Sequence, residues 1–207
     1  MSAKVIRLRR RPKAAAAPPR RRSNSDARTL EYLTPAEVER LRKAASKRGR
    51  YGQRDATAIL IAYRHGLRVS ELVDLRWDQV DLKTGLLHVR RAKSGTPSTH
   101  PMQGDELRAL RELRREWPAD GGYVFLSERE GPMTAAGARK MLARLGELAG
   151  FPFTVHPHML RHACGFALAN AGHDTRALQH WLGHKNIQHT VRYTELSPAR
   201  FKNFWRE

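Results

Sequence analysis

Histidines are concentrated near the end of the chain, where seven of the ten lie between positions 156 and 189. Metal binding is one explanation, because His158 and His162 have the i,i+4 spacing found in the metal-binding helix of zinc proteases. That helix has glutamate after its first histidine, whereas this chain has Met159, and no nearby carboxylate could be a third ligand. The pattern disfavours zinc and leaves open that these histidines are ordinary surface or core side chains.

Phosphodiester chemistry without a metal ion is a second explanation. Guanidinium groups match the non-bridging oxygens of a phosphate and stay charged, so two arginines can replace metal ions. An attacking hydroxyl must lose a proton and a leaving alkoxide must gain one, and each proton transfer contributes about 10²–10⁴-fold. A tyrosine nucleophile, with an ordinary pKa of about 10, would be helped to ionise by the same positive field.

The chain contains candidates for all of these tasks. In order, they are Arg68 in the run GLRVSEL, Lys93 in a predicted hairpin turn, His158 and Arg161 in HMLRH, His184 in LGH, and Tyr193. Taken singly, each has an ordinary structural interpretation, such as helix capping for Arg68, a solvated charge for Lys93 or core packing for Tyr193. It is their joint order that indicates a function.

This order resembles the catalytic domain of the tyrosine recombinases, over roughly residues 30–207. The run from His156 to Tyr193 resembles the short fimbrial phase-switch invertases in particular, with a tyrosine roughly ten residues after Leu-Gly-His. The resemblance implies a site-specific DNA recombinase that cleaves and rejoins DNA through a 3′-phosphotyrosine intermediate. Inversion, integration and excision share this chemistry, and the invertase likeness leans slightly towards inversion.

The resemblance also implies a role for each candidate residue. Arg68 and Arg161 would clamp the scissile phosphate and stabilise the phosphorane. Tyr193 would attack, and His158 would exchange a proton with it. Lys93 would protonate the departing 5′ oxygen, and His184 would hydrogen-bond a non-bridging oxygen.

Cofactors and partners follow from the same resemblance. No metal or nucleotide cofactor is needed, the substrate is double-stranded DNA, a homo-tetramer forms on DNA, and DNA-bending accessory proteins are candidates for further partners. Two alternatives stay open: a catalytically idle DNA-binding regulator with the same fold, and a tyrosine topoisomerase that reseals without exchange. The idle regulator would have no need of the complete residue set, and the topoisomerase would need neither a specific site nor a tetramer.

The charge of the chain agrees with a polyanionic partner, because 39 Lys and Arg stand against 20 Asp and Glu, a formal charge of +19. Residues 1–28 hold ten of these basic residues against Asp26, with no apolar periodicity, which predicts a disordered basic arm. The arm either neutralises DNA phosphates or is only a solubilising tail. Residues 29–207, the predicted catalytic domain, still carry +10.

The elements that must position these residues are mainly helical with a small antiparallel β-sheet (α+β). We expect a tyrosine-recombinase catalytic-domain fold without the usual N-terminal helical DNA-binding domain, since fewer than 35 residues precede the first capped helix. Thr34 and Glu37 are expected to form a capping box at the first helix. Ser70 is expected to cap a short helix, and Asp174 a later one. The predicted elements are helices over 35–47, 56–65, 71–77, 104–117, 134–149, 157–171, 174–182, 187–193 and 198–206, and a hairpin or three-strand meander over 85–102.

Three further expectations come from composition. Phe201, Phe204 and Trp205 share one side of the predicted last helix, which either docks on a neighbouring protomer or folds back on its own domain. Cys164 is alone, which excludes an intrachain disulfide and favours a buried core residue. No apolar run is long enough for a membrane span and no secretory signal is visible, so we expect a cytoplasmic, nucleoid-associated protein.

Overall fold

The computed structural model describes residues 32–92, 95–117 and 122–195. This part of the chain is mainly helical with a three-stranded antiparallel sheet, which confirms the predicted fold class. Its helices are α1 (Pro35–Ser46), α2 (Gly52–Arg64), α3 (Val69–Val73), α4 (Gly104–Glu116), α5 (Ala135–Leu148), α6 (Pro157–Asn170), α7 (Thr175–Leu182) and α8 (Gln188–Glu195). Its strands are β1 (Val80–Asp81), β2 (Leu86–Val89) and β3 (Ser98–Pro101). The basic arm, Lys93 and the predicted last helix lie outside the described residues.

Helix α1 begins with the predicted capping box. The Glu37 amide donates to the Thr34 hydroxyl at 3.3 Å, and the Thr34 amide donates to the Glu37 carboxylate at 2.8 Å. Its apolar face, with Val38 and Leu41, packs on α2. Helix α2 begins at Gly52, four residues before the apolar run that predicted it, and is buried along most of its length.

Helix α3 differs from its prediction in both bounds and cap. The predicted helix over 71–77 with Ser70 as its cap is wrong, since Arg68 occupies the N-cap position and the helix ends at Val73. The physical reason is the Glu71 carboxylate, which accepts the Arg68 amide at 2.9 Å and so starts the helix two residues earlier. Trp77–Gln79 forms a separate 3₁₀ turn that leads into the sheet.

The sheet is a three-strand meander with β2 at its centre, one of the two arrangements predicted, but its first strand, β1, lies before the predicted range of 85–102. Val80 pairs with Leu87, and Leu87 pairs with His100. Alternate residues of the central strand, Leu87 and Val89, are buried, and the same alternation buries Arg91 just beyond the strand. The sheet thereby aims an arginine inward, towards the ends of α2 and α7.

The interior is divided into two hydrophobic clusters. The larger cluster contains residues of helices α1 through α5, of the sheet and of the first half of α6. The smaller one lies where α7 and α8 pack on the second half of α6; its buried members are Cys164, Phe166, Ala169, Leu178, Leu182 and Tyr193. Cys164 is a core residue as predicted, and burial raises the pKa of its thiol to about 12.

Among the residues that the structure describes, no helix is both long enough and apolar enough to cross a membrane.

Candidate active site

Arg161 lies at the centre of the site, in the first half of α6, and is only 4 % exposed. Its guanidinium donates to the carbonyl of Gly66, at the end of α2, and to the carbonyl of Leu182, at the end of α7, the latter at 2.7 Å. Burial, together with the charges of Arg68 and Arg91, lowers its pKa to about 10, so it stays protonated near neutrality. Arg161 is thus a fixed cation between two helix ends.

Arg68 and Arg91 share one buried carboxylate, that of Glu71. Arg68 donates to Glu71 at 2.7 Å and Arg91 donates to it at 3.0 Å, and the carboxylate also accepts the Ala92 amide at 3.0 Å. Burial favours the neutral acid, but these bonds and cations outweigh it and lower the pKa of Glu71 overall. One anion therefore holds two cations beside Arg161, and the group keeps an excess of positive charge.

Arg91 and Glu71 were missed as site residues in the sequence analysis. The side chain of Arg91 has no exposed surface; it donates to the carbonyls of His65, at 3.3 Å, and of Trp181. Gly183 lies against it, since a Cβ at that position would come within 2.8 Å of three Arg91 atoms. Gly183 has a φ of +64°, a backbone conformation that favours glycine. Both this conformation and the close approach of Arg91 explain why Leu-Gly-His has a glycine.

His184 follows Gly183 and is oriented by α8. Its Nδ1 is joined to the Thr190 hydroxyl by a hydrogen bond of 2.8 Å, so Nε2 is the nitrogen that can face a ligand. Burial and the nearby charges of Arg161 and Arg68 lower its pKa to about 3. A neutral imidazole carrying its proton on Nε2 can donate to an anionic oxygen, the role expected of His184.

Tyr193 is on α8 and is 1 % exposed. Its hydroxyl is joined to Nδ1 of His162 by a hydrogen bond of 2.8 Å. His158, one helical turn before His162 on the same face of α6, is exposed, and the two histidine rings are 6.4 Å apart between centroids. His162, which the sequence suggested only as a zinc ligand, is thus hydrogen-bonded to the tyrosine hydroxyl.

The predicted site residues converge to different degrees. The electrostatic interactions of Arg68, Arg161 and His184 place these three together, and Tyr193 also interacts with Arg161. His158 lies nearby at the solvent end of the same helix face, and Lys93 is outside the described residues. No group of three or more His, Cys, Asp or Glu side chains within the described ranges could hold a metal ion.

A buried histidine network, also unforeseen from the sequence, lies behind Arg91. His65 is joined to His100 at 3.0 Å through their Nδ1 atoms and to the Glu106 carboxylate at 2.7 Å. The His100 ring stacks on Trp181 with centroids 3.8 Å apart, and burial lowers the pKa of His100 to about 3. This network links α2, β3, α4 and α7 around the carbonyls that hold Arg91.

The sequence of this chain is similar to a known protein family and to several of its members. The model of the phage integrase family matches residues 31–200. The type 1 fimbriae regulatory protein FimE of Escherichia coli K12 is 44% identical over 179 residues, which cover 84% of this chain and 90% of that protein. The tyrosine recombinase XerC of Bacillus pumilus is 33% identical over 180 residues, covering 83% of this chain and 59% of that protein.

Two solved structures show the same fold. The XerA recombinase has a TM-score of 0.73 and 29% identity, over 85% of this chain and 65% of that one. The Tn1549 transposon integrase, in complex with a circular intermediate DNA, has a TM-score of 0.68 and 29% identity, over 78% of this chain and 61% of that one. This chain thus spans less than two thirds of the length of either solved relative.

Proposed function

This chain belongs to the phage integrase family, and on that premise we propose that it is a tyrosine-type site-specific recombinase that cleaves and rejoins double-stranded DNA. The observation that carries the proposal is a group of three cations beside the helix that bears Tyr193. Arg161 and Arg91 are buried, and Arg68, which shares the Glu71 carboxylate with Arg91, is partly exposed. Fixed guanidinium groups in a low-dielectric site are suited to the charge that a phosphodiester gains during substitution.

The reaction is a transesterification that needs no outside energy source. The Tyr193 oxygen attacks phosphorus, a P–O(Tyr) bond forms and the P–O5′ bond breaks, leaving a 3′-phosphotyrosine and a free 5′ hydroxyl. We assign His158 to receive the tyrosine proton and Lys93 to supply the proton of the 5′ oxygen. The reverse reaction with the 5′ hydroxyl of another strand exchanges the strands.

Arg68, Arg161 and His184 bind the non-bridging oxygens in this scheme. Arg161 contributes most, because its two backbone contacts fix its direction before DNA arrives and no reorganisation is needed. Arg91 acts indirectly in this scheme, because it holds Glu71 and the end of α7 in place.

Covalent capture from genomic DNA tests the proposal without knowledge of the target site. Wild type and Tyr193→Phe are incubated with fragmented genomic DNA of the source organism, denatured, and the strands attached to protein are sequenced. We expect attachment by wild type alone, at a few positions. Attachment at scattered positions would favour a topoisomerase, and no attachment by protein that still binds DNA would favour an idle regulator.

The basic arm is a second part of the proposal. We assign residues 1–28, with their ten basic residues, to the DNA backbone, since each neutralised phosphate releases counterions and steepens the salt dependence of binding. Deleting residues 1–28 should weaken DNA binding and flatten its salt dependence, with covalent attachment retained. An unchanged salt slope would contradict this role.

Assembly and cellular role complete the proposal. We expect a tetramer on DNA, since exchange requires four strands to be cut, and we expect the segment 198–206 to dock on a neighbouring protomer. Of inversion, integration and excision, the likeness to the invertases slightly favours inversion, and the reaction would take place in the nucleoid. DNA-bending proteins are candidates for accessory partners. Truncation after Leu196 should abolish assembly on DNA while single-site binding persists, and unchanged assembly would show that this segment serves its own domain.

A further inference from the structure

Two backbone carbonyls hold the guanidinium of Arg91, those of His65 and Trp181. Another nitrogen of the same group, Nη1, donates to the Glu71 carboxylate at 3.0 Å. The buried Nε of Arg91 has no hydrogen-bond partner within the described residues, so these bonds alone direct the guanidinium. A group that fixes His65 and Trp181 therefore also fixes Arg91.

One side chain, that of His100 on β3, contacts both of these residues. Its Nδ1 is joined to Nδ1 of His65 by a hydrogen bond of 3.0 Å, and its ring stacks on the Trp181 ring with centroids 3.8 Å apart. Its Nε2 is joined to the Ser98 hydroxyl at 2.8 Å, and the residue is 1 % exposed. After burial and His65, the charge of Arg91 is a further cause of the low pKa of His100, in agreement with this proximity.

A buried anion holds His65 from its other side. Nε2 of His65 is joined to the Glu106 carboxylate at 2.7 Å, and neither residue is more than 1 % exposed. The same carboxylate accepts the Gln103 amide at 2.7 Å, at the start of α4. Each ring nitrogen of His65 and His100 thus has a partner, so neither ring can turn without leaving a buried polar group unpaired, which is costly.

We infer that His100 is a positioning residue of the proposed reaction, which fixes His65 and Trp181 and, through their carbonyls, holds Arg91 in the site. The inference rests on the proposed function, because it gives Arg91 and Glu71 their task beside a bound phosphate. It also gives β3 a part in the site. Arg91 follows the end of β2, and the histidine that supports it comes from the strand paired with β2.

The exposed face of the same two strands offers matched controls. His88 of β2 and Thr99 of β3 are cross-strand partners, and Nδ1 of His88 is joined to the Thr99 hydroxyl at 3.0 Å. Neighbouring residues of a strand face opposite sides of the sheet, so this pair points away from His100 and Ser98. His88→Ala and Thr99→Ala therefore remove a histidine and a hydroxyl without touching the groups that hold Arg91.

Covalent attachment measures the consequence for the reaction. Single-turnover attachment is followed on a nicked duplex of the sequence recovered by covalent capture. We expect His100→Ala to slow attachment by about 10- to 100-fold and to change DNA affinity by less than about threefold, because a displacement of about 1 Å at a site group can cost about 10²-fold. His100→Asn, which keeps a hydrogen-bonding group near Nδ1, should lose less, and His88→Ala should match wild type. Attachment by a folded His100→Ala protein within about twofold of wild type would overturn the inference.

A double-mutant cycle separates positioning of Arg91 from a general loss of stability. Arg91→Lys keeps the charge but lacks the fork that reaches Glu71 and both carbonyls. In the Arg91→Lys background, His100→Ala should slow attachment by less than about twofold, because the guanidinium that it positions is already lost. A histidine that only stabilises the fold would slow attachment by the same factor in both backgrounds, and equal factors would overturn the inference.

A measurement without DNA covers the case in which His100→Ala does not fold. Ser98→Ala removes one hydrogen bond of His100 and keeps its ring, and Thr99→Ala is the matched change on the exposed face. The ¹H–¹⁵N resonance of Arg91 Nε, identified by its loss in Arg91→Lys, should shift in Ser98→Ala and stay constant in Thr99→Ala. An unchanged resonance in Ser98→Ala would overturn the inference. If the resonance shifts as expected but wild type never attaches to DNA, the link from His100 to Arg91 is confirmed and the proposed function alone is refuted.

Discussion

The cations of the candidate site and its proposed nucleophile, Tyr193, are held in opposite ways. Arg161 and Arg91 are buried and donate to backbone carbonyls at the ends of α2 and α7. With Glu71 and the partly exposed Arg68 they form a group that is called the cation cradle below. Tyr193 instead belongs to the small cluster under α7 and α8 and is turned away from solvent. The groups that the proposed reaction assigns to the phosphate are thus fixed by backbone contacts, whereas its nucleophile is packed among apolar side chains.

This difference separates binding from chemistry. The cradle holds three arginines with one buried carboxylate, and burial, reinforced by the charges of Arg68 and Arg91, lowers the pKa of Arg161. In the proposed reaction, a phosphate that binds there would offset this excess of positive charge. The contacts of Arg161 with two backbone carbonyls orient its guanidinium in the absence of DNA, which favours electrostatic stabilisation in the proposed reaction.

The largest effect should come from breaking the cradle at its centre. Arg161→Lys removes the fork that contacts both Gly66 and Leu182, and a lysine cannot keep these contacts and bind a phosphate as well. We expect single-turnover covalent attachment to slow by about 10²–10³-fold, with DNA affinity changed less than tenfold. Arg115→Lys, at an exposed position of α4, should have no effect. If Arg161→Lys slowed covalent attachment by less than tenfold, the cradle would not be the place where the phosphodiester gains charge during the reaction.

The next effect concerns the stability of the cradle. Glu71→Gln leaves the buried Arg91 and the partly exposed Arg68 without their shared anion, so the free energy of unfolding should fall by about 3 kcal/mol. The exposed pair of Asp78 and Arg90 offers a control, since Asp78→Asn should cost less than about 1 kcal/mol. Urea unfolding measures both, and equal losses would show that the buried carboxylate does not bind the cradle together.

A smaller effect should appear on the nucleophile side alone. Gly165→Ala pushes a methyl group into the Tyr193 ring, which should lower the free energy of unfolding by about 1–3 kcal/mol and expose the tyrosine. Gly104→Ala, at the exposed first position of α4 where a Cβ would meet the flexible end of Arg108 at 3.4 Å, should be neutral or slightly stabilising. Urea unfolding and Tyr193 nitration test this prediction, and DNA affinity should stay at the wild-type value. Weakened DNA binding in Gly165→Ala would mean that the two halves are not independent.

The smallest effect is a dependence of stability on pH. Burial, reinforced by nearby cations, lowers the pKa of His184 to about 3 and of His162 to about 4, below the ordinary value of 6.5. As the pH falls below 6.5, these histidines become protonated in the unfolded chain but stay neutral in the folded one. Each therefore lowers the free energy of unfolding by at most about 1.4 kcal/mol per pH unit. Urea unfolding at pH 7.5 and 5.5 should show this loss. If His162→Asn left the change in the free energy of unfolding between the two pH values the same, the prediction would be contradicted.

Much of the fold could be predicted from local signals. The capping box at Thr34, the alternation of the central strand and the cap at Asp174 each act over a few residues, and the structure has all three. The start of α3 was predicted wrongly because the Glu71 carboxylate competes with Ser70 for the capping role. That competition is decided by where Arg91 lies, which is a tertiary contact.

The site was predictable to the extent that a motif names its residues. Arg91 could have been found by extending the alternation of Leu87 and Val89, while the exposed Arg90 lies on the other face. The contact of His162 with Tyr193 and the pairing of His65 with His100 could not, because each joins segments more than 30 residues apart. The burial of Tyr193 likewise depends on packing between α6 and α8, which the sequence pattern does not give.

The most direct test of the central claim is the site of attachment on the protein. Wild type trapped on a nicked duplex is denatured and digested with nuclease and protease, and the peptides are examined by mass spectrometry. The account predicts a nucleotide joined through phosphate to the peptide containing Tyr193, with the other described tyrosines, Tyr32, Tyr51, Tyr63 and Tyr123, unmodified. An adduct on any of those four, or attachment that survives in Tyr193→Phe, would contradict it.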